Sequence, residues 1–233
     1  MIDVQGLQKS FGGKTALRDV SFFAGNGSIT GLLGANGAGK STTLRIISGL
    51  LRPHRGTVRI DGEFPHANRG RKIGALLDHT GLYQRLTARE NVAYFGELHG
   101  LTSAQIQARV VELITVLGLE AEVNQRVAGF SVGERAKVGL ARAIVHSPGN
   151  VLLDEPTNGL DVPTVRVIRT LLRNMRDAGC CVVFSSHVLD EVEQVCDRIV
   201  VLSDGAVVAS GSPDEIRRQT GCARLEDAFL QLT

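Results

Sequence analysis

The stretch Gly34-Ala35-Asn36-Gly37-Ala38-Gly39-Lys40-Ser41-Thr42 decides the fold. An apolar run, Ile29-Thr30-Gly31-Leu32-Leu33, precedes it and reads as a buried strand, while Leu44-Arg45-Ile46-Ile47 follows with the apolar spacing of an opening helix. Gly34, then Gly39-Lys40-Ser41, is the spacing of a phosphate-binding P-loop. Its glycines permit positive φ and close backbone approach. Successive N–H groups then turn inward on a phosphate, and the helix N-terminus adds partial positive charge. In such a loop Lys40 reaches the β- and γ-phosphates and the Ser41 hydroxyl ligates Mg²⁺. A glycine-rich turn that matched only by chance would not need a strand before it and a helix after it.

The bulk properties narrow the class. At 233 residues the chain fits one large domain, or a domain with an inserted lobe, and is long enough to bury a sizeable core. It is 43% hydrophobic and 21% charged, ordinary for a soluble globular protein. A formal charge of +2 makes no general electrostatic case for nucleic acid. No apolar run approaches the ~20 residues needed to cross a bilayer. Met1-Ile2-Asp3-Val4-Gln5 lacks the basic region and apolar core of a secretory signal. The expectation is a cytosolic protein whose membrane role, if any, comes through a partner. Cys180, Cys181, Cys196 and Cys222 show no paired CxxC spacing, which argues against zinc. Cys180 and Cys181 open an apolar strand and should face opposite sides of it, as small buried thiols.

Residues 2–31 alternate apolar residues with short turns and predict a small antiparallel sheet, with Gly25-Asn26-Gly27 as a hairpin turn. Phe11, at the glycine turn Ser10-Phe11-Gly12-Gly13, is either a core ring or an exposed one able to stack on a base. Short strands are expected at 57–62 and 72–77, the latter ending at Asp78. From 87 to 128 the character turns helical: Thr87 and Glu90 have the spacing of a helix cap, and Val92, Phe95, Leu98, then Ile106, Val110, Leu113 and Leu117 keep helical spacing. The α/β character returns with a strand at 150–156, a helix at 163–177, a strand at 181–185, a helix at 188–196, a hairpin through Asp204-Gly205, and two short helices at 213–218 and 225–232. The architecture predicted is a mostly parallel sheet flanked by helices, with an N-terminal antiparallel sheet and an inserted helical lobe. Its divisions are 1–78 and 129–233 for the α/β core and 79–128 for the lobe.

The second half of the site is an apolar strand, Val151-Leu152-Leu153, that ends in Asp154-Glu155. Asp154 can hold Mg²⁺ through water as the partner of Ser41. Glu155 can polarise an attacking water as a general base. Between the halves, Ser131 and Glu134 have the spacing of a capping box before the helix that starts near Ala136. A helix start with a free hydroxyl and a glycine, Gly133, is also an anion site. Because the P-loop already occupies one side of a nucleotide, that second site would close from another molecule.

These stretches together resemble the ATP-binding subunit of an ATP-binding cassette (ABC) transporter over essentially the whole chain. Residues 34–42 resemble the Walker A loop, and 151–155 the Walker B strand with its catalytic glutamate. Phe11 stands where the family places its adenine-stacking aromatic. Phe130-Ser131-Val132-Gly133-Glu134 falls at the signature, usually Leu-Ser-Gly-Gly-Gln. Asn158-Gly159-Leu160-Asp161 resembles the D-loop of the dimer interface, and His187 the switch histidine that contacts the γ-phosphate. Three departures stand out. Asp78 replaces the glutamine that contacts Mg²⁺ and the attacking water; a carboxylate can ligate the metal but cannot donate as an amide does. Val132 replaces a glycine. Glu134 replaces a glutamine, and its charge near a phosphate would need a cation such as Arg135 beside it.

The resemblance implies ATP and Mg²⁺ as ligands and a head-to-tail dimer, expected to be a homodimer. Each ATP would lie between Lys40 and Ser41 of one copy and Ser131 and Gly133 of the other. It also implies a separate integral membrane permease, docked between Asp78 and the helical lobe, with the subunit on the inner face of the cell membrane and no nucleic-acid partner. The stretch 79–91 and Leu225-Glu226-Asp227-Ala228-Phe229 are similar to single-domain exporters of the drug and sodium-efflux (ABC-2) type, without an added C-terminal regulatory domain. Rival readings are a soluble relative acting on nucleic acid or ribosomes, and an ATP-gated regulatory subunit with weak hydrolysis.

Overall fold

The computed structural model describes residues 1–64, 72–77 and 81–233. Asp78, a predicted ligand, lies outside the described residues, as do His79 and Thr80. The described strands are β1 (Ile2–Phe11), β2 (Lys14–Ala24), β3 (Ser28–Leu33), β4 (Arg55–Ile60), β5 (Ile73–Leu76), β6 (Asn150–Asp154), β7 (Cys181–Ser186), β8 (Arg198–Ser203) and β9 (Ala206–Gly211). They form one sheet in the order β4-β1-β2-β9-β8-β3-β7-β6-β5. The run from β5 to β8 is parallel, whereas β8–β9, β1–β2 and β1–β4 are antiparallel. The N-terminal strands join the rest through one parallel pair, Asp19 with Ala206.

Residues of the central strands alternate between two apolar layers, as a pleated strand requires. Ile29, Leu33, Val151, Leu153, Val182 and Phe184 belong to one layer; Leu32, Leu152, Cys181 and Val183 belong to the other. Cys180 and Cys181 separate in the same way. Burial pushes their thiols up, to about 11 and about 12.

The turn Gly25-Asn26-Gly27 does not make a hairpin. β2 pairs with β1 and touches β9, while β3 lies between β7 and β8. Ser28–Leu33 is buried on both faces and so takes a central parallel position, whereas β2 alternates buried and exposed residues as a one-sided strand does.

Helix α1 (Lys40–Ser48) buries Leu44, Ile46 and Ile47 in the β1–β2 layer. The opposite layer is covered by α2 (Ala88–Leu98), α3 (Ser103–Leu117), α4 (Val132–Ile144), α5 (Val162–Asp177), α6 (Leu189–Val195), α7 (Pro213–Thr220) and α8 (Leu225–Leu232). Capping boxes open α2 (Thr87 with Glu90) and α3 (Thr102 with Gln105). The two ends of this helical segment are tied together, Val127 N–H donating to Leu86 C=O and Ala88 N–H to Gln125 C=O. Val92 and the α3 residues are buried as their spacing predicts, but Leu98 is exposed. At about 100° per residue, two successive i+3 steps carry Leu98 off the face that Val92 occupies. Among the described residues no helix is long and apolar enough to cross a membrane.

Candidate active site

Parallel pairing brings the ends of β3, β7 and β6 to one edge of the sheet: Leu33 pairs with Ser186, and Asp154 with Ser185. The P-loop, His187 and Glu155 leave from that edge, where open α/β sheets hold their ligands.

In the loop, Gly37 and Gly39 adopt φ of 90° and 105°. Gly34 has a different reason to be glycine, since a Cβ there would stand 2.4 Å from the Leu202 carbonyl oxygen. Asn36 and Gly37 are exposed, Ala38 is buried, and Ser41 and Thr42 are half-buried. Gly39 caps α1 without a side-chain acceptor, so no side-chain cap claims the first N–H groups of the helix. Lys40 lies back along the loop, its Nζ donating to the carbonyls of Gly34 (2.7 Å) and Ala35 (3.2 Å). The same Nζ is 3.8 Å from Glu155 Oε1. Burial pulls the Lys40 ammonium below its ordinary pKa, and the carboxylates of Glu155 and Asp154 act against that pull.

Glu155 is the pivot of the cluster. Its backbone sits at φ 46°, a left-handed conformation that costs a non-glycine residue about 1–2 kcal/mol. The strand-end network over-determines it: Glu155 N–H donates to Ser185 Oγ at 2.9 Å, and the Ser185 hydroxyl donates to Asp154 Oδ1. The carboxylate accepts from Asn158 Nδ2 at 3.1 Å and lies 3.1 Å from His187 Nδ1. His187 is exposed on its other side, so its ring can face a bound molecule. The donors that would hold a cation here, the Ser41 hydroxyl and the Asp154 carboxylate, are hard oxygens of the kind Mg²⁺ takes. Ser185 fixes one of the two Asp154 oxygens and leaves the other for a ligand.

Ser131 and Glu134 form the predicted capping box on α4: Ser131 Oγ accepts Glu134 N–H at 3.2 Å, and Glu134 Oε2 accepts Ser131 N–H at 2.7 Å. Arg135, one cation that could have offset Glu134, is engaged elsewhere. It donates to the Phe130 carbonyl, and the Glu134 charge rests on the start of its own helix, a favourable place for it. Gly133 packs on α5, where a Cβ would lie 3.0 Å from Thr164 Oγ1. Asp161 caps α5 by accepting Thr164 N–H at 3.3 Å, and its carboxyl is held below the usual range by the Thr164 hydroxyl. Val132 and Val162 stand exposed beside these two helix starts. Phe11 is 49% exposed at the end of β1, with Lys9 Nζ 5.4 Å from its ring centroid.

The fold thus gathers residues 34–42 with Asp154, Glu155 and His187, and gathers Ser131, Gly133, Glu134 and Asp161 separately at the starts of α4 and α5. Sequence reasoning passed over Ser185, Thr157 and Glu191, which hold the strand ends in place. The available cue was Ser185-Ser186, two hydroxyls that close an otherwise apolar buried strand.

A model of the ABC transporter family matches residues 17–158. The chain is 41% identical over 220 residues to the ABC transporter ATP-binding protein NatA of Bacillus subtilis (strain 168), covering 92% of this chain and 89% of that protein. It is 36% identical to the Nod factor export ATP-binding protein I of Bradyrhizobium diazoefficiens, covering 97% of this chain and 75% of the relative. The solved ATP-binding subunit of an ABC transporter superposes with a TM-score of 0.92 at 31% identity, over 100% of this chain and 99% of that one. The dimeric, post-hydrolysis ATP-binding cassette MJ0796, bound to ADP and Pi, gives 0.82 at 28% identity, over 91% and 98% of the two chains. With the P-loop, the acidic strand end and the histidine in their places, the chain belongs to the ABC transporter family, as an ATP-binding subunit that hydrolyses ATP.

Proposed function

We propose that this chain powers export through a separate membrane permease by closing head-to-tail on ATP with a second copy of itself and reopening after hydrolysis. The observation that carries the reading is the convergence of Lys40, Glu155 and His187 on one point at the mouth of the P-loop. Lys40 already touches the loop carbonyls and a carboxylate, so a triphosphate competes for its charge with groups it outmatches in charge. The N–H groups of residues 34–42 cradle the phosphates, and Phe11 offers its open face to the adenine. Ser41 and Asp154, with Asp78, would hold Mg²⁺, which would offset charge on the phosphate oxygens. Glu155 takes the proton of the attacking water, and His187 orients that carboxylate and meets the γ-phosphate.

Ser131 and Gly133 complete the partner's site, and Asp161 lies at the crossing of the two copies. The exposed valines at 132 and 162 support an interface on this face, and the MJ0796 dimer supports its stoichiometry. The chain is read as one ABC ATP-binding domain over 1–233, its lobe at 79–128 meeting the permease from the cytoplasmic side. Exposed Tyr83, Tyr94 and Leu98 give that lobe an apolar surface for the contact. A relative named for Nod factor export supports the direction; the permease sets the cargo. The test is Glu155→Gln, which keeps the shape and removes the base. ATPase turnover should fall at least 100-fold, within the range expected for a lost general base, and ATP should now trap a dimer visible by light scattering. A variant that hydrolyses at the wild-type rate would overturn the assignment.

A further inference from the structure

One carboxylate oxygen joins the two loops that hold Glu155 and His187. Glu191, in the first turn of α6, accepts the Thr157 hydroxyl on Oε2 at 2.6 Å and the Ser186 hydroxyl on the same oxygen at 3.2 Å. Thr157 follows Glu155 by two residues, and Ser186 directly precedes His187. Both hydroxyl-bearing residues are buried, so each needs a protein partner. Ser186 Oγ also accepts Val188 N–H at 2.9 Å, so the residues on both sides of His187 are tied to the same network. α6 has no side-chain cap, and Glu191 is the side chain that binds its first turn to both loops.

We propose that Glu191 is a positioning residue for ATP hydrolysis: it sets the separation between the Glu155 carboxylate and the His187 imidazole by clamping Thr157 and Ser186 on one oxygen. The inference rests on Glu155 and His187 acting at the γ-phosphate. Lys40 and its bonds to Gly34 and Ala35 lie outside the clamp, so nucleotide binding and turnover should separate. The role needs an oxygen at one distance from the helix and does not need a charge. A glutamine carbonyl can accept both hydroxyls, whereas an aspartate keeps the charge but falls one methylene short.

The experiment measures ATP turnover of the purified full chain alongside equilibrium binding of a fluorescent ATP analogue and the thermal midpoint. Glu191→Ala should lower kcat by roughly 10- to 100-fold, the scale of an ~1 Å misplacement in an active site, with analogue affinity within about twofold of wild type. Glu191→Gln should recover most of that loss, and Glu191→Asp should not. If Glu191→Ala does not fold, Thr157→Val, which removes one of the two bonds at equal size, should still lower kcat several-fold at unchanged affinity. Wild-type turnover in Glu191→Ala, or in Thr157→Val where the alanine variant does not fold, overturns the proposal. So does a glutamine variant as slow as the alanine one, or a fall in affinity that matches the fall in kcat. Glu155→Gln keeps the two readings apart. If it is inactive while Glu191→Ala is fully active, only the clamp fails; if it is active, the catalytic assignment beneath the clamp fails.

Discussion

Gly34 and Gly37 are both loop glycines, but they answer to different constraints. A methyl group on Gly34 would meet the Leu202 carbonyl oxygen at 2.4 Å, so either the loop or the end of β8 must move. Gly37 has open space around it, and only its φ of 90° resists a side chain. Gly34→Ala should therefore cost about 1–3 kcal/mol, as overpacking does, and should also weaken binding of an ATP analogue. Gly37→Ala should cost about 1–2 kcal/mol for the left-handed conformation. Urea unfolding, read beside analogue binding, checks both. The spacing of the P-loop made these residues legible, because a phosphate cradle needs glycine at fixed offsets. The reason for Gly34 was not, since its obstacle comes from a strand far along the chain. Glu191 was hidden likewise: Ser186 lies only five residues before it, but Thr157, the other hydroxyl it holds, comes from a loop 34 residues away.

At the scale of elements, the capping boxes were readable because they are local, and all the spacings read as boxes closed as expected. Elements that depend on a partner were misread. Gly25-Asn26-Gly27 has the residues of a hairpin, yet the burial demands of β3 send it to the sheet centre; Leu98 keeps an apolar step while the helix turns away beneath it. The start of α4 carries the prediction proper to this scale. Ser131→Ala removes an N-cap and should cost ~1 kcal/mol, spare ATP binding by the single chain, and block ATP-driven closure. Glu134→Gln should do the opposite. Its amide oxygen can still accept Ser131 N–H, so the helix keeps its box, but the negative charge that would face a partner's triphosphate is gone. In a Glu155→Gln background, ATP should dimerise the Glu134→Gln chain at lower protein concentration than its parent. Sedimentation at graded concentrations reads the shift, and equal or weaker dimerisation would refute the electrostatic account.

Across the whole molecule, the helical segment and the α/β core share one apolar layer, and a pair of histidines is stacked where they meet. His99 caps the C-terminus of α2, and His146 lies in the turn after α4; their ring centroids are 3.6 Å apart and the planes within 7° of parallel. Sequence patterns could place the two segments but not this contact, since an isolated histidine at a helix end carries no signature. Burial pulls the His146 imidazole down to about 4, and the charges of His99 and Arg109 push the same way. Arg109, from α3, is a cation facing this corner, where it donates to the carbonyls of Ile144 and Val145. The sign follows from proton counting. An unfolded histidine titrates near 6.5, so between there and about 4 the unfolded chain holds the extra proton. The contribution of neutral His146 is therefore complete above pH 6.5 and is lost as pH falls toward 4. His146→Phe keeps a ring to stack on His99 and removes the titration. The urea midpoint of the wild type should then fall more steeply than that of His146→Phe across this window, while carboxylates common to both give them the same remaining slope. Parallel curves would show that the half-buried ring is not what makes the junction acid-sensitive.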